Sequence, residues 1–208
     1  MLYFESIDPG TLSILNRLMA LPSLNSFSLV GGSALALRYG HRISENIDLF
    51  YHENFDFLAL EYDLREEFGP DFVYESGHKQ LGIFSSINAI KVDIVYYPRE
   101  PIGPIEFVDG IRMYSSEDIA ARKIQNILGR SRQKDFWDLN ELLRHFTLQQ
   151  IIDFHNQKFP SQMLAISIPN ALSYFVDADE SEEPISLKGQ TWDGIKKEIR
   201  KVVREYLA

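Results

Sequence analysis

The stretch AIKVDIVYY, residues 89–97, constrains this chain more than any other. Side chains alternate across a strand, so Lys91, Asp93 and Val95 share one face while Ile90, Val92, Ile94 and Tyr96 form the other. An aspartate inside so apolar a strand is costly to bury unless something pairs with it. A second run with period-two alternation, ENIDLFY at 45–51, carries another acid. There Asn46, Asp48 and Phe50 share one side, and Glu45, Ile47 and Leu49 point the other way. Taken alone, Asp48 reads as a polar residue in a solvated turn. If the two strands are neighbours, Asp48 and Asp93 converge on one cation, and oxygen ligands of this kind suit Mg²⁺ or Mn²⁺.

The rest of the chain divides in two. Residues 8–20 read as a helix capped by Asp8 or Thr11, with Leu12, Ile14, Leu15, Leu18 and Met19 on its apolar side. SFSLV (26–30) is a short strand ended by Gly31-Gly32, and SALALRY (33–39) is a short helix closed by Gly40. Residues 55–68 read as a helix. DFVYES (71–76) and KQLGIFSS (79–86) are strand-like, and IRMYS (111–115), after the breaker-rich loop 98–104, is one last short strand. From Ser116 the pattern turns helical: 116–129, 133–146, and further helical pattern through 175. Residues 177–190 are an acidic, exposed loop. The last helix sets Trp192, Ile195, Ile199, Val202 and Tyr206 on one stripe. The expected class is α+β: a mixed sheet flanked by helices over residues 1–115, then a C-terminal helical part over 116–208.

Composition narrows the chemistry. The 208 residues include no cysteine, which excludes disulfides, Cys-ligated zinc and thiol nucleophiles and fits a reducing cytoplasm. The five histidines show no ligand spacing, so a zinc site is not expected. MLYFESIDPG has no secretory pattern, and no apolar run reaches the ~18 residues needed to span a bilayer. A cytoplasmic protein with no membrane partner is expected. The formal net charge of −9 argues against long-range steering toward nucleic acid, although a local basic patch can still bind phosphate.

Gly31-Gly32-Ser33 lets backbone amides approach a phosphate, and a helix starting there would aim its positive end at the same point. The plainer reading is ordinary turn chemistry, since no Walker or Rossmann pattern follows. Lys123 lies four residues from Ile119 and from Ile127, so its stem can rest on apolar surface while its head reaches a groove, or simply snorkels at an edge. Asp135 and Asp138 fall on one helical face, and Asp135 also reads as an ordinary N-terminal helix charge. Arg42 has two readings, a phosphate contact or a partner holding Asp48 in place. Arg122, Lys123, Arg130, Arg132 and Lys134 form a basic cluster, either an RNA or triphosphate contact or a solvated helix end.

In combination these features are more specific than in isolation. The Gly-Ser turn and helix, GHRIS, the strand ending Asp-Leu-Phe, the Lys-Val-Asp strand and SSEDIAARKIQNILGRSRQKDFWDLNELL (115–143) together resemble the nucleotidyltransferase family that includes the AbiEii/AbiGii-type toxins. The resemblance covers roughly residues 27–145. It implies a minimal nucleotidyltransferase fold of the DNA polymerase β-like kind. It also implies an activity: transfer of a nucleotide from an NTP to an acceptor such as an RNA end, or to a protein hydroxyl, with Mg²⁺ or Mn²⁺, in a toxin paired with an antitoxin protein. Position by position it implies that Gly31, Gly32 and Ser33 hold the triphosphate with Arg42 nearby. Asn46, Asp48 and Asp93 are then metal ligands, Lys123 contacts phosphate, and Asp135 is the acidic residue after it.

One position departs from the family pattern. Where the pattern has Asp-x-Asp, this chain has Asn46-Ile47-Asp48. A neutral carbonyl oxygen is a poorer ligand for a hard cation than a carboxylate. Glu45 does not compensate, because it faces away on a regular strand. Even losing groups that merely orient a metal ligand typically costs about 10–100-fold in affinity or activity. The sequence therefore leaves two functions open, a nucleotidyltransferase and a nucleotide- or partner-binding pseudoenzyme, with a structural partner in a complex as a weaker third.

Overall fold

The computed structural model describes residues 1–75, 81–160 and 162–208. Helix α1 (Pro9–Ala20) begins where the Asp8 carboxylate accepts from the amides of Gly10 at 2.8 Å and Thr11 at 3.3 Å, with Pro9 in the first position. Strand β1 (Ser28–Leu29) leads into α2 (Gly31–Tyr39), which Gly40 closes at φ 60. The helix starts two residues before the expected Ser33, because Gly31 accepts a φ of 72 that turns the extended chain straight into it.

Next come β2 (Ile47–Tyr51), α3 (Phe57–Phe68) capped by Asp56, β3 (Phe72–Tyr74), β4 (Gly82–Ile87) and β5 (Ile90–Tyr96). The strands expected at 71–76 and 79–86 extend into residues 76–80, which lie outside the described residues. A hairpin follows, β6 (Glu106–Val108) and β7 (Ile111–Met113), turned by Asp109 and Gly110 at φ 49 and 84. Positive φ at both turn positions suits the Asp-Gly pair. Only the second arm of this hairpin was expected from sequence.

Among the described residues the strands form one mixed sheet in the order β3-β4-β5-β2-β1-β7-β6. The pairs β2–β5 and β1–β7 are parallel, and the others are antiparallel. Ile47, Leu49, Val92 and Ile94 of the two parallel central strands are essentially inaccessible, as their alternation requires.

The helical part is α4 (Ser116–Gly129), α5 (Gln133–Leu142), α6 (Leu148–Lys158), α7 (Ile168–Leu172), α8 (Val176–Asp179) and α9 (Trp192–Leu207). The 115/116 division falls between β7 and α4, and buried apolar side chains from both sides of it form one continuous core. On α9 the buried stripe is Trp192, Ile195, Ile199 and Val203. Val202 is half-buried and Tyr206 exposed, because the helical period brings position 203 back over 199. Trp192 seats this helix against Phe136, Trp137 and Phe175.

The acidic stretch 177–190, expected as an exposed loop, is mostly exposed, and it is also tied down by hydrogen bonds. The Ser181 hydroxyl accepts from the Gln133 amide at 2.8 Å, the Ile43 amide donates to the Ile185 carbonyl at 2.9 Å, and the Leu187 amide donates to the His41 carbonyl at 3.1 Å.

On α6, His155 is 1% exposed, with Nε2 at 3.1 Å from Gln125 Oε1 and no partner for Nδ1 among the described residues. Burial pushes its pKa down. The unfolded chain therefore takes up a proton near the ordinary histidine range, around pH 6.5, before the folded chain does. Stability is expected to fall as pH drops from 7.5 to 5.5. Thermal melts across that window are expected to show a shallower slope for His155→Gln; equal slopes would contradict the assignment.

Candidate active site

The parallel register sets Asp48 directly opposite Asp93, one strand spacing away, about 4.8 Å. Asp93 is 8% exposed; its Oδ2 is salt-bridged to the Lys91 ammonium, and its Oδ1 is buried with no partner among the described residues. Burial raises the pKa of Asp48 and the neighbouring Asp93 raises it further, while Lys91, Arg122 and Lys123 pull it back. Two crowded carboxylates with one orphaned oxygen are an environment that a cation relieves.

The amino end of α2 abuts this pair. The Val30 amide donates to the Asp48 carbonyl at 2.9 Å, and a Cβ on Gly31 would stand 3.1 Å from Asp48 Oδ2. Gly31 thus serves both the turn and the close approach. Ser33 is buried. Its hydroxyl donates to the Asn46 carbonyl and lies 2.9 Å from Ser44 Oγ, so it fastens α2 to the chain entering β2. Asn46, Asp48 and Phe50 line one cavity, as their shared face requires, while Glu45 lines a neighbouring one.

Behind the glycines lies an ion network. Asp138, fully buried on α5, accepts from Arg42 Nε at 2.7 Å and Nη2 at 2.9 Å, lies 2.7 Å from His41 Nε2, and pairs with Lys123 Nζ at 2.6 Å. Lys123 Nζ also donates to Asp135 Oδ1 at 2.9 Å. Burial alone would raise the Asp138 pKa, but Arg42 and Lys123 outweigh it and hold the carboxyl well below the ordinary range. Burial likewise opposes the Lys123 charge, and Asp138 and Asp135 more than restore it. Neither sequence reading of Lys123 places it so deep: it is 4% exposed and sits between two carboxylates. Arg42 braces Asp138 rather than Asp48, and its third contact is Nη1 to the Ile43 carbonyl at 2.9 Å.

Gly32 makes room for this brace, since a Cβ there would lie 2.0 Å from Arg42 Nη2. Gly32→Ala is expected to pull the guanidinium off one oxygen and cost about 1.5–3 kcal/mol, the range for a hydrogen bond to a charged group. Urea unfolding measures the loss; a variant within ~0.3 kcal/mol of wild type would show that the fork is dispensable.

A cavity of about 180 Å³ opens above these groups, lined by Gly31, Asp48, Arg122, Lys123, Lys134 and Asp135 among others. A second, of about 690 Å³, is lined by Arg130, Arg132 and Lys134 and by Asp177, Glu180, Glu182 and Glu183 among others. Arg42, Ser44, Asn46 and Lys134 line both, so the cavities share a rim. Arg122 spreads over the rings of Phe50, 4.3 Å to the centroid, and Tyr97, 4.8 Å.

A family profile described as nucleotidyl transferase AbiEii toxin, type IV TA system, matches residues 13–205. The chain belongs to the AbiEii nucleotidyltransferase toxin family. This AbiEii-family chain is 31% identical over 201 residues to the uncharacterized protein aq_aa25 of Aquifex aeolicus (strain VF5), covering 93% of this chain and 94% of that protein. It is similar in fold to JHP933 from Helicobacter pylori, with a TM-score of 0.59 at 16% identity, covering 96% of this chain and 93% of that one. It is also similar in fold to MenT4, the nucleotidyltransferase toxin Rv2826c of Mycobacterium tuberculosis H37Rv, with a TM-score of 0.54 at 11% identity, covering 93% and 82%. The expected minimal nucleotidyltransferase fold is the one observed. No helix among the described residues is long and apolar enough to cross a membrane.

Enzymes of this kind generally use an NTP and a divalent metal. Among the described residues no cluster of three or more His, Asp or Glu side chains suits a metal. The carboxylates that could hold a divalent ion are Asp48 and Asp93, with the Asn46 amide on the same face as Asp48 and further oxygens needed from a substrate. Three site features escaped the sequence reading. Asp138 stood only in the resemblance segment and on one face with Asp135, and His41 only in GHRIS and among histidines without zinc spacing. Lys134 was one member of a basic run. What joins Asp138 to His41 and Arg42 is contact across 96–97 positions, which no local spacing encodes.

Proposed function

We propose that this chain is a divalent-cation-dependent transferase that moves a nucleotide from an NTP to an acceptor hydroxyl, with an RNA end as the preferred acceptor class. We further propose that it acts as the toxin of a toxin–antitoxin pair. The observation that carries the reading is Asp48 lining a cavity beside the amino end of α2, with Asp93 directly opposite on the neighbouring strand. In this reading Asp48, Asp93 and Asn46 share the metal, which when bound draws negative charge off the transferred phosphate and the leaving pyrophosphate. The first turn of α2, at Gly31 and Gly32, faces the phosphates. Ser33 holds that turn against the Asn46 carbonyl, and Lys123 fixes Asp135 and Asp138 beneath it. Incubation with each labelled NTP, Mg²⁺ and total RNA tests it: label on RNA, lost in Asp48→Ala, is the expected result, and no transfer with any NTP overturns it.

A second reading has its own support. Asn46 removes one carboxylate, and Lys91 already neutralises Asp93. A pseudoenzyme with these features binds NTP and transfers nothing. Thermal stabilisation by NTP and Mg²⁺ without label transfer would mark it.

A further inference from the structure

The two cavities have different sizes, and the difference has a consequence. Pockets that enclose small-molecule ligands run about 300–1,000 Å³. The cavity above Asp48, at about 180 Å³, is too small for a nucleoside triphosphate, whereas its neighbour, at about 690 Å³, is large enough. A ligand with phosphates at Asp48 and its remainder in the larger cavity crosses the shared rim. Four side chains line that rim. Arg42 is occupied by Asp138, the Ser44 hydroxyl lies 2.9 Å from Ser33 Oγ, and Asn46 is neutral. Lys134 remains, and it forms no ion pair among the described residues.

Resting on the transferase reading above, we propose that Lys134 grips the substrate triphosphate at the junction of the two cavities. Lys123 keeps the buried carboxylates in order. The surroundings of Lys134 favour an anion. It is half-buried, and its pKa is lowered by burial and then by Lys123, Arg42 and Arg132, against Asp135. A cation crowded by cations gains most from a polyanion, and a lysine holds phosphate as a point charge without needing a fixed fork. Arg122 also lines the Asp48 cavity and has no carboxylate partner among the described residues, so two cations without acidic partners line the space for the phosphates.

Isothermal titration with inorganic tripolyphosphate and Mg²⁺ tests the assignment without calling on catalysis. Lys134→Met is expected to weaken binding about tenfold or more, equivalent to ~1.4 kcal/mol, with Lys134→Arg recovering most of it. Lys197→Met, on exposed α9, is expected to leave it unchanged. Because Lys134 has no partner to lose, the apo melting temperature of Lys134→Met should equal or exceed that of wild type, so weak binding would not reflect unfolding. Wild-type affinity in Lys134→Met, or no tripolyphosphate binding by wild type, overturns the proposal. So does a loss confined to a ten-nucleotide oligouridylate, which would make the rim a contact for acceptor backbone. A label-transfer assay separates the two readings. Tripolyphosphate held through Lys134 by a chain that transfers nothing sustains this inference and sinks the transferase. Undiminished transfer by Lys134→Met does the reverse.

Discussion

Asp138→Asn is expected to lower the free energy of unfolding by about 3–5 kcal/mol at pH 7, the usual cost of removing one partner from a buried ion pair. The carboxylate is inaccessible and meets three basic side chains at 2.6–2.7 Å. Without its charge, Lys123 still has Asp135, but Arg42 keeps only the Ile43 carbonyl and one neutral amide oxygen. An amide nitrogen facing the guanidinium adds repulsion. The Asp138 pKa is held well below its ordinary value, so the sign of its pH dependence follows. Its contribution is complete above about pH 4 and is lost as pH falls through the depressed value, so the wild-type advantage should shrink in acid. Guanidinium unfolding of both proteins at pH 7 and pH 3 reads this. A loss under ~1 kcal/mol at pH 7 would mean that the network tolerates unpaired cations.

Asn46→Asp is expected to tighten Mg²⁺ binding about 10–100-fold, the scale on which metal sites respond to their surroundings. It should also act in opposite directions on the two forms of the protein. Without metal a third carboxylate joins Asp48, already raised by burial and by Asp93, so the apo melting temperature should drop. With millimolar Mg²⁺ and NTP it should rise above wild type. The backbone at 46 is held by the Ser33 hydroxyl whatever the side chain, so the exchange isolates the ligand. A change of the same sign in both forms would place residue 46 outside the metal's reach.

Local pattern was enough to locate most of the elements. Alternation in 45–51 and 89–97 marked the two strands, the Asp8 cap marked α1, and Gly40 closed α2. The pairing of Asp48 with Asp93 followed once those strands were taken as neighbours. The ion network was hidden for a physical reason: Arg42 read as a phosphate contact or a partner of Asp48 and Lys123 as a groove or edge lysine, because cations are seldom buried and only a buried counter-charge reverses that. β6 was missed although IEFVDGIRM carries an Asp-Gly turn, since three residues leave little periodicity to detect. The loop at 181–187 is exposed as expected, but its bonds to 41–43 were not foreseen because they use backbone, which acidic side chains do not advertise.

That last stitch bears on how the chain is made. Residues 41–43 leave the ribosome early, yet Asp138 and Ile185 follow roughly a hundred and a hundred and forty codons later. At about 5–20 residues per second, Arg42 spends several seconds without its carboxylate. Through most of its own translation, then, the nascent polypeptide has no finished pocket. The larger cavity closes only once residues 177–185, far along the chain, have emerged to meet residues 42–46.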